Sequence, residues 1–198
     1  MTARPPMNPR ASIAVMISGR GSNLAALIDA CANPDYPATI VKVISDRRDA
    51  LGLDKARAAG ISAIALERRD FTTKNEHETA ILKELAQVKP ELICLAGYMR
   101  VLSGDFISHY PAKILNIHPS LLPKYPGLNT HQRALDAGDK IHGCSVHIVE
   151  EALDAGSVIA QGIVYIEPDD NEASLSEKVL KIEHGLYVDA VSRALAGK

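Results

Sequence analysis

Cysteine is scarce in this chain of 198 residues, and its distribution excludes two ways of stabilising a fold. The three cysteines, Cys31, Cys94 and Cys144, are far apart and odd in number. Neither a disulfide framework nor a zinc-binding pattern can be built from them. A reducing compartment is the simplest setting for such a chain.

Long apolar runs are lacking as well. No apolar stretch approaches the length that crosses a membrane. The first ten residues carry charge and proline but lack the apolar segment of a signal peptide. We therefore predict a cytoplasmic protein without membrane association, with a flexible tail over residues 1–11.

The chain also has no block of like charge. Its formal net charge is −2, and the lysines and arginines are spread along the sequence. This argues against a protein whose affinity for nucleic acid comes mainly from phosphate contacts. The length and the hydrophobic share of 46% suit one globular domain, which we assign to residues 1–198.

Strand and helix patterns alternate along the chain. This order predicts an α/β fold, a doubly wound and mostly parallel sheet with helices on both faces. Thr73 and Glu76 form a capping box at the start of one helix, and Ser174 and Glu177 predict another. The last two strands can pair as a hairpin, which would make one strand antiparallel. The predicted strands are Ser12–Ser18, Ile40–Ser45, Ala63–Leu66, Leu92–Ala96, a segment from Ile114, Gly143–Val149 and Val158–Ile166.

Asn116 and His118 lie near the end of one predicted strand. They are two residues apart, so on an extended backbone both side chains point to the same face. Pro119 ends ladder pairing, and a loop rich in proline follows to Gly127. An open α/β sheet binds its ligands at the carboxyl ends of its strands, so this amide and this imidazole are candidates for a binding site. The alternative is that both side chains only satisfy nearby backbone groups.

A glycine turn follows the first predicted strand. Gly19–Asn23 leads from that strand straight into helical spacing, so the free N–H groups of a helix start would face an anion. The turn matches neither the dinucleotide fingerprint nor the P-loop, and a tight turn without ligand is the alternative. The loops Gly19–Asn23, Gly97–Leu102 and Asn116–Gly127 are expected at one edge of the sheet.

Five segments together resemble a known enzyme family. They are I-S-G-R-G-S-N-L, L-A-G-Y-M-R-V-L-S, N-I-H-P-S-L-L-P-K-Y-P-G, H-G-C-S-V-H and L-D-A-G-S-V-I, in this order. The chain from about Ile13 to His184 resembles the phosphoribosylglycinamide formyltransferases of the folate-dependent formyltransferase superfamily. The N-I-H-P-S-L-L-P block with a downstream D-x-G is shared by that superfamily, and the Gly-Ser-Asn turn belongs to the branch that binds a phosphorylated ribose.

The resemblance implies transfer of a formyl group from the co-substrate 10-formyltetrahydrofolate to the amine of glycinamide ribonucleotide, in purine synthesis. No metal and no nucleic-acid partner is implied, and the chain is expected as a monomer or homodimer. By position, the resemblance assigns catalysis to Asn116, His118 and Asp154; phosphate and ribose binding to Gly21, Ser22, Asn23 and Glu183; and folate binding to Arg100, Val101, Leu102 and Asn116, with the turn Glu150–Asp154.

Two positions depart from the resemblance, since Arg20 and Asn129 stand where several relatives carry other side-chain types. From the residues alone, Asp154 before a glycine-containing turn is also typical of an Asx turn, and Glu183 of a solvated helix face. His142 and His147 lack the motif spacing of a zinc enzyme, so structural or rim roles are favoured for them.

The chemistry of an amide beside an imidazole agrees with formyl transfer. Both groups can stabilise a tetrahedral oxyanion and move protons without a metal or a covalent enzyme intermediate. Three alternatives stay open. A formyltetrahydrofolate hydrolase would use the same three residues, and a methionyl-tRNA formyltransferase would need a further domain and a basic surface. A non-catalytic nucleotide-binding module would keep only the glycine turn.

Overall fold

The computed structural model describes residues 10–111 and 113–197, and within them seven strands form one sheet. The predicted tail falls mainly on residues 1–9, outside the described residues, while Ala11 already belongs to the first strand. The strands are β1 Ala11–Ile17, β2 Ala38–Ser45, β3 Ala63–Ala65, β4 Leu92–Leu95, β5 Ile114–His118, β6 Ile141–Ile148 and β7 Val158–Tyr165.

The order of strands across the sheet is β3-β2-β1-β4-β5-β6-β7. The pairs from β3 to β5 are parallel, whereas β6 pairs antiparallel with both β5 and β7. The prediction of a mostly parallel sheet with one antiparallel strand is therefore confirmed. The order reverses beside β1, because the chain adds β2 and β3 on one side and β4 on the other. Ligands of open α/β sheets bind beyond the carboxyl ends of strands at such a point.

Six α-helices are present in the described part of the chain, five between strands and α6 after the last strand. They are α1 Ser22–Ala32, α2 Leu51–Ala58, α3 Lys74–Val88, α4 Gly104–Ser108, α5 Thr130–Asp136 and α6 Glu172–Ala196, with a single 3-10 turn at Arg68–Asp70. The capping box of Thr73 and Glu76 at the start of α3 is confirmed, because the side chain of each residue bonds the backbone N–H of the other.

The start of α6 differs from the prediction. The helix begins at Glu172 and its N-cap is Asn171, whose Oδ1 accepts the N–H groups of Ala173 and Ser174 at 3.0 and 3.1 Å. Ser174 is the third helical residue and returns the bond, since its Oγ accepts the N–H of Asn171 at 3.0 Å. Asparagine caps helices as well as serine does, and it stands three residues earlier in the chain.

Helices cover both faces of the sheet, as the apolar strands require. Residues Ile13, Val15 and Ile17 of β1 pack with buried side chains of α1, α2 and α6. Ala14 and Met16 point to the opposite face, where they pack with α3 and α4. β1 is thus apolar on both faces, as expected for a strand inside a parallel sheet. No helix among the described residues combines the length and the apolar character needed to cross a membrane.

Tyr187 connects α6 to the centre of the sheet through its hydroxyl group. Its side chain is fully buried, and its hydroxyl lies 3.0 Å from the carbonyl oxygen of Leu95 and 3.2 Å from that of Leu115. These carbonyls belong to β4 and β5, the strands that carry two loops of the ligand edge. We expect Tyr187→Phe to lower the free energy of unfolding by about 1–2 kcal/mol, because a buried hydrogen bond is lost. Urea denaturation of the wild type and the variant measures this free energy.

Tyr165→Phe is the matched control, since this tyrosine lies on β7 with 72% of its surface exposed. Its free energy of unfolding should change by no more than about 0.5 kcal/mol. Equal stability of the two variants would contradict a role of the Tyr187 hydroxyl in holding α6.

Candidate active site

The loops after β1 and β4 are hydrogen-bonded to each other at the carboxyl edge of the sheet. The N–H of Ser18 donates to the carbonyl oxygen of Gly97 at 3.1 Å, and Ser18 Oγ accepts the N–H of Met99 at 2.8 Å. The loop that contains Arg100, Val101 and Leu102 is therefore fixed relative to the glycine turn. These two hydrogen bonds join the loops into one continuous surface at the carboxyl edge of the sheet.

Asn116 and His147 face each other across the antiparallel pair β5 and β6. Nδ1 of His147 lies 2.9 Å from the carbonyl oxygen of Ile148, so this nitrogen carries a hydrogen and Nε2 of the neutral ring is an acceptor. Nδ2 of Asn116 donates to that Nε2 at 3.2 Å. The second Nδ2 hydrogen has no bond within the described residues, which leaves it available to a ligand.

His118 ends β5 and is almost fully buried. Its Nε2 lies 2.9 Å from the carbonyl oxygen of Tyr125 in the proline-rich loop. A carbonyl only accepts, so Nε2 carries a hydrogen, and Nδ1 is the nitrogen that can gain or lose a proton. Nδ1 faces the carboxylate of Asp154, with 3.4 Å to Oδ2.

Asp154 lies in the turn between β6 and β7 with a left-handed backbone, φ 51°. Its Oδ2 accepts the N–H of Gly127 at 2.8 Å, and its Oδ1 lies 3.5 Å from Nε2 of His147. Burial alone would raise the pKa of this carboxyl, but a hydrogen bond from the protonated form of His147, the N–H of Gly127 and the nearby His118 outweigh burial and hold the pKa below its usual value. Asp154 is thus a carboxylate at neutral pH, and its side chain bonds a distant loop.

Two polar side chains, Ser145 on β6 and Gln161 on β7, form hydrogen bonds to the start of the proline-rich loop. Ser145 Oγ donates to the carbonyl oxygen of Ser120 at 2.6 Å and accepts the N–H of Leu122 at 3.0 Å. Gln161 Nε2 donates to Ser145 Oγ and to the carbonyl oxygen of Leu122, both at 2.9 Å. These bonds fix the start of the loop, whose later carbonyl at Tyr125 orients His118.

A cleft of about 510 Å³ opens beside these polar groups. One part of its wall is polar, made by Asn116, His118, His147 and Asp154. Most of the remaining wall is apolar, and the rim carries several charges. The rest of the lining includes Arg100, Val101, Leu102, Leu128, Asn129, Glu150, Glu151, Leu153 and Glu172.

The glycine turn forms a second cluster, and its residues do not line that cleft. Gly21 is the N-cap of α1 with φ 66°, in the left-handed region that favours glycine. Gly52 of α2 packs directly against it, because a Cβ on Gly21 would lie 2.8 Å from the Cα of Gly52. The N–H of Gly52 also donates to the carbonyl oxygen of Gly19 at 3.1 Å. The turn is held by backbone on both sides, and the first N–H groups of α1 remain free for an anion.

Asn23 and Glu183 join this cluster across 160 residues of chain, with 2.8 Å between Asn23 Nδ2 and Glu183 Oε2. Both side chains are buried, and Asn23 Oδ1 has no partner among the described residues. Burial raises the pKa of Glu183, and the bond from Asn23 offsets part of that rise. Glu183 is therefore not on a solvated helix face, which was the alternative from the residues alone, because α6 packs this face against α1.

The structure brings the predicted residues together in two groups. Asn116, His118 and Asp154 are in mutual contact or share His147, while Gly21, Ser22, Asn23 and Glu183 surround the start of α1. Arg100, Val101 and Leu102, for which the resemblance implies folate binding, line the cleft. Of the two departing positions, Arg20 is exposed and Asn129 lines the cleft as the N-cap of α5.

His147 is the site residue that sequence reasoning missed, since a structural or rim role was favoured for it. Only the register of β6 against β5 places it opposite Asn116, and the sequence does not contain that register. His142 instead lies 3.1 Å from His131, outside the group around Asp154. Over the described residues, no group of three His, Cys, Asp or Glu side chains is arranged to hold a metal ion.

Comparisons with known proteins agree on one family. The chain is 45% identical to the phosphoribosylglycinamide formyltransferase of Escherichia coli over 181 residues, which is 91% of this chain and 85% of that protein. It is 44% identical over 190 residues, or 95% of this chain, to the trifunctional purine biosynthetic protein adenosine-3 of Drosophila melanogaster, and spans 14% of that protein's length.

Solved structures are similar as well. The crystal structure of phosphoribosylglycinamide formyltransferase from Brucella melitensis superposes with a TM-score of 0.91 at 53% identity, covering 96% of this chain and 97% of that one. The glycinamide ribonucleotide transformylase 1 of Symbiobacterium toebii gives a TM-score of 0.92 at 38% identity, with coverage of 96% and 90%. The formyl transferase family profile matches residues 11–191. The chain therefore belongs to the formyl transferase family.

Proposed function

We propose that this chain transfers the formyl group of 10-formyltetrahydrofolate to the amine of glycinamide ribonucleotide in purine biosynthesis. The observation that carries the proposal is the meeting of an amide, an imidazole and a carboxylate on one wall of an apolar cleft, from Asn116, His118 and Asp154. The names of the E. coli and Brucella relatives support the same acceptor.

The cleft suits a folate. Its volume of about 510 Å³ lies within the range of small-molecule sites, roughly 300–1,000 Å³. The apolar residues Val101, Leu102 and Leu128 can pack on the flat rings of the co-substrate. Arg100 lies at the rim, where a guanidinium can bind the carboxylate of the glutamate part. Predicted folate contacts thus fall on one continuous surface.

The glycine turn suits the phosphate and ribose of the nucleotide. Gly21, Ser22 and Asn23 begin α1, whose free N–H groups and dipole favour an anion. The unpartnered Oδ1 of Asn23 and the carboxyl of Glu183 are acceptors that sugar hydroxyls can satisfy. A buried oxygen without a hydrogen-bond donor is unfavourable, so the oxygen of Asn23 favours a ligand with hydroxyl groups, such as a ribose.

The reaction follows from the positions of these groups. The amine attacks the formyl carbon, and the carbonyl oxygen becomes an oxyanion that the free Nδ2 hydrogen of Asn116 can stabilise. Nδ1 of His118, beside Asp154, takes the proton that the attacking nitrogen loses. The bond between the formyl carbon and the folate nitrogen then breaks, and that nitrogen receives the proton that His118 took up, which leaves His118 ready for the next turnover. No covalent enzyme intermediate is formed.

Two other functions use part of this site. A formyltetrahydrofolate hydrolase would keep the three catalytic side chains and accept water, and a binding module would need only the glycine turn. Incubation with 10-formyltetrahydrofolate, with and without glycinamide ribonucleotide, separates them by folate absorbance. Acceptor-dependent deformylation supports the transferase; acceptor-independent loss identifies the hydrolase, and no turnover the binding module.

Asn116→Ala and His118→Ala test the catalytic groups. Loss of one such donor costs about 10²–10³ in kcat. We expect a fall of that size in both variants, while calorimetry still detects binding of each substrate. Near-normal turnover in either variant would refute its assignment. His142→Ala is a control on a buried histidine outside the group, and its kcat should stay within about threefold of wild type.

Asp154→Asn distinguishes a structural role from a catalytic one. Asparagine tolerates the left-handed backbone at this position and can still accept the N–H of Gly127. We expect a melting temperature only slightly below that of wild type at neutral pH but a loss of at least about tenfold in kcat, because the charge beside His118 is gone. A variant with wild-type kcat would limit Asp154 to holding the loop.

The lowered pKa of Asp154 adds a pH test to this variant. A carboxyl whose pKa is depressed by folding stabilises the protein above its unfolded pKa, and this stabilisation is lost as pH falls through the folded pKa. Wild type should therefore lose more stability than Asp154→Asn on acidification through that window. Parallel melting curves of the two proteins against pH would contradict the shift.

Gly21→Ala tests the phosphate turn. The added Cβ would lie 2.8 Å from backbone of Gly52 in a left-handed residue, so the turn must move. We expect the KM for glycinamide ribonucleotide to rise about tenfold or more, as loss of a hydrogen bond to a charged group implies, with little change for the folate. Gly60→Ala is the control, because it has φ 73° and open space. Equal nucleotide KM values for both folded variants would sink the phosphate assignment.

A further inference from the structure

Two cationic side chains lie at the glycine turn that begins α1. Arg20 directly precedes the N-cap Gly21, and its side chain is exposed. Lys55 reaches the turn from α2, with 3.4 Å between its Nζ and the carbonyl oxygen of Gly21. Within residues 10–111 and 113–197, neither cation is paired with a carboxylate. Both charges are therefore available to an anion that binds at the turn.

Other exposed arginines of the same half of the chain are neutralised by acidic neighbours. Arg47 lies 2.8 Å from Asp49. Arg57, two residues after Lys55 on α2, lies 2.9 Å from Asp54. The acidic residue of α2 that is next to Lys55 in the chain is thus already paired with a different cation.

The start of α1 contains no anion of its own. Its first turn has no acidic residue, and its N-cap Gly21 has no side chain that could accept the free N–H groups. The positive end of the α1 dipole, the free N–H groups and the two cationic side chains are therefore all unoccupied by the protein itself. An external anion would interact with all of them.

A buried oxygen beside the turn indicates what kind of anion this is. Asn23 is the second residue of α1 and only 6% exposed, and its Oδ1 has no partner among the described residues. Its Nδ2 donates to Oε2 of Glu183 at 2.8 Å. The unpartnered oxygen requires a donor, which a hydroxyl group supplies. A ligand with an anionic group at the turn and hydroxyl groups at Asn23 has the chemistry of a phosphorylated sugar.

The balance of charge requires more than the helix dipole. A phosphate monoester carries a charge of about −2 at neutral pH, whereas the start of a helix supplies about +0.5. The carboxyl of Glu183 belongs to the same cluster, and burial raises its pKa. Repulsion between this carboxyl and a phosphate would weaken binding. Two cationic side chains offset that repulsion.

We propose that Arg20 and Lys55 bind the phosphate of the acceptor and make this chain selective for a phosphorylated acceptor. The inference rests on the proposed function, because it needs a nucleotide whose phosphate lies at the glycine turn. The N–H groups of α1 fix the position of the phosphate, and the two side chains supply the opposite charge. Selectivity then comes from a group far from the reacting amine.

The test compares glycinamide ribonucleotide with glycinamide riboside, which lacks only the phosphate. In the double variant Arg20→Gln/Lys55→Gln, kcat/KM for the ribonucleotide should fall at least about tenfold, since each exposed ion pair contributes about three- to fivefold. The value for the riboside should change by less than about twofold, because it has no anion for the cations to bind. Added salt should reduce the preference of wild type for the ribonucleotide, since both cations are exposed.

The double variant Lys83→Gln/Arg193→Gln is the matched control. It removes the same charge from exposed side chains of α3 and α6, away from the turn, so it should keep the wild-type preference. An equal loss of preference in both double variants would attribute the effect to net charge and overturn the proposal. A fall of the same size for riboside and ribonucleotide would give the two side chains a structural role and overturn it as well.

Binding of ribose 5-phosphate separates this proposal from the function on which it rests. Calorimetry should detect binding to wild type and an affinity at least about tenfold lower in Arg20→Gln/Lys55→Gln, with melting curves that show a folded variant. Equal affinities of the two proteins, or no binding to wild type, would overturn the proposal. Wild type that binds ribose 5-phosphate but does not formylate glycinamide ribonucleotide would overturn the proposed function and leave the phosphate site standing.

Discussion

The imidazole of His118 ties together three segments that are far apart in the chain. It ends β5, bonds the carbonyl oxygen of Tyr125 in the proline-rich loop, and faces Asp154 in the turn after β6. A buried imidazole must satisfy its N–H groups, because an unpaired buried polar group costs about 1–3 kcal/mol. That requirement holds loop and turn against the strand. The polar wall of the cleft exists because these two segments cannot move away from His118 without leaving polar groups unpaired.

The sheet supplies the site in two different ways. Its parallel half supplies backbone, since the turn after β1 and the loop after β4 present N–H groups and loop residues at the carboxyl edge. Its antiparallel half supplies side chains, because reversal of β6 places His147 opposite Asn116 and Ser145 opposite His118. Because the two halves join at β4 and β5, both kinds of group lie at one edge of the sheet.

Electrostatics divides the same edge by sign. Arginines follow the ends of β2 and β3, three glutamates line the cleft, and Asp154 stays ionised between histidines. The whole chain carries a net charge of only −2, so this separation comes from where the charged residues lie and not from an excess of one sign.

The sequence by itself determined the alternation of strands and helices, the turn that begins α1, and the pair of Asn116 and His118 on one strand face. These are local properties, set by side-chain periodicity, glycine and proline. The tertiary structure alone decided the contacts of His147, the buried bond between Asn23 and Glu183, and the true N-cap of α6. Each depends on register or on packing between distant segments, or on which of two neighbouring cap residues wins, and local periodicity contains none of these.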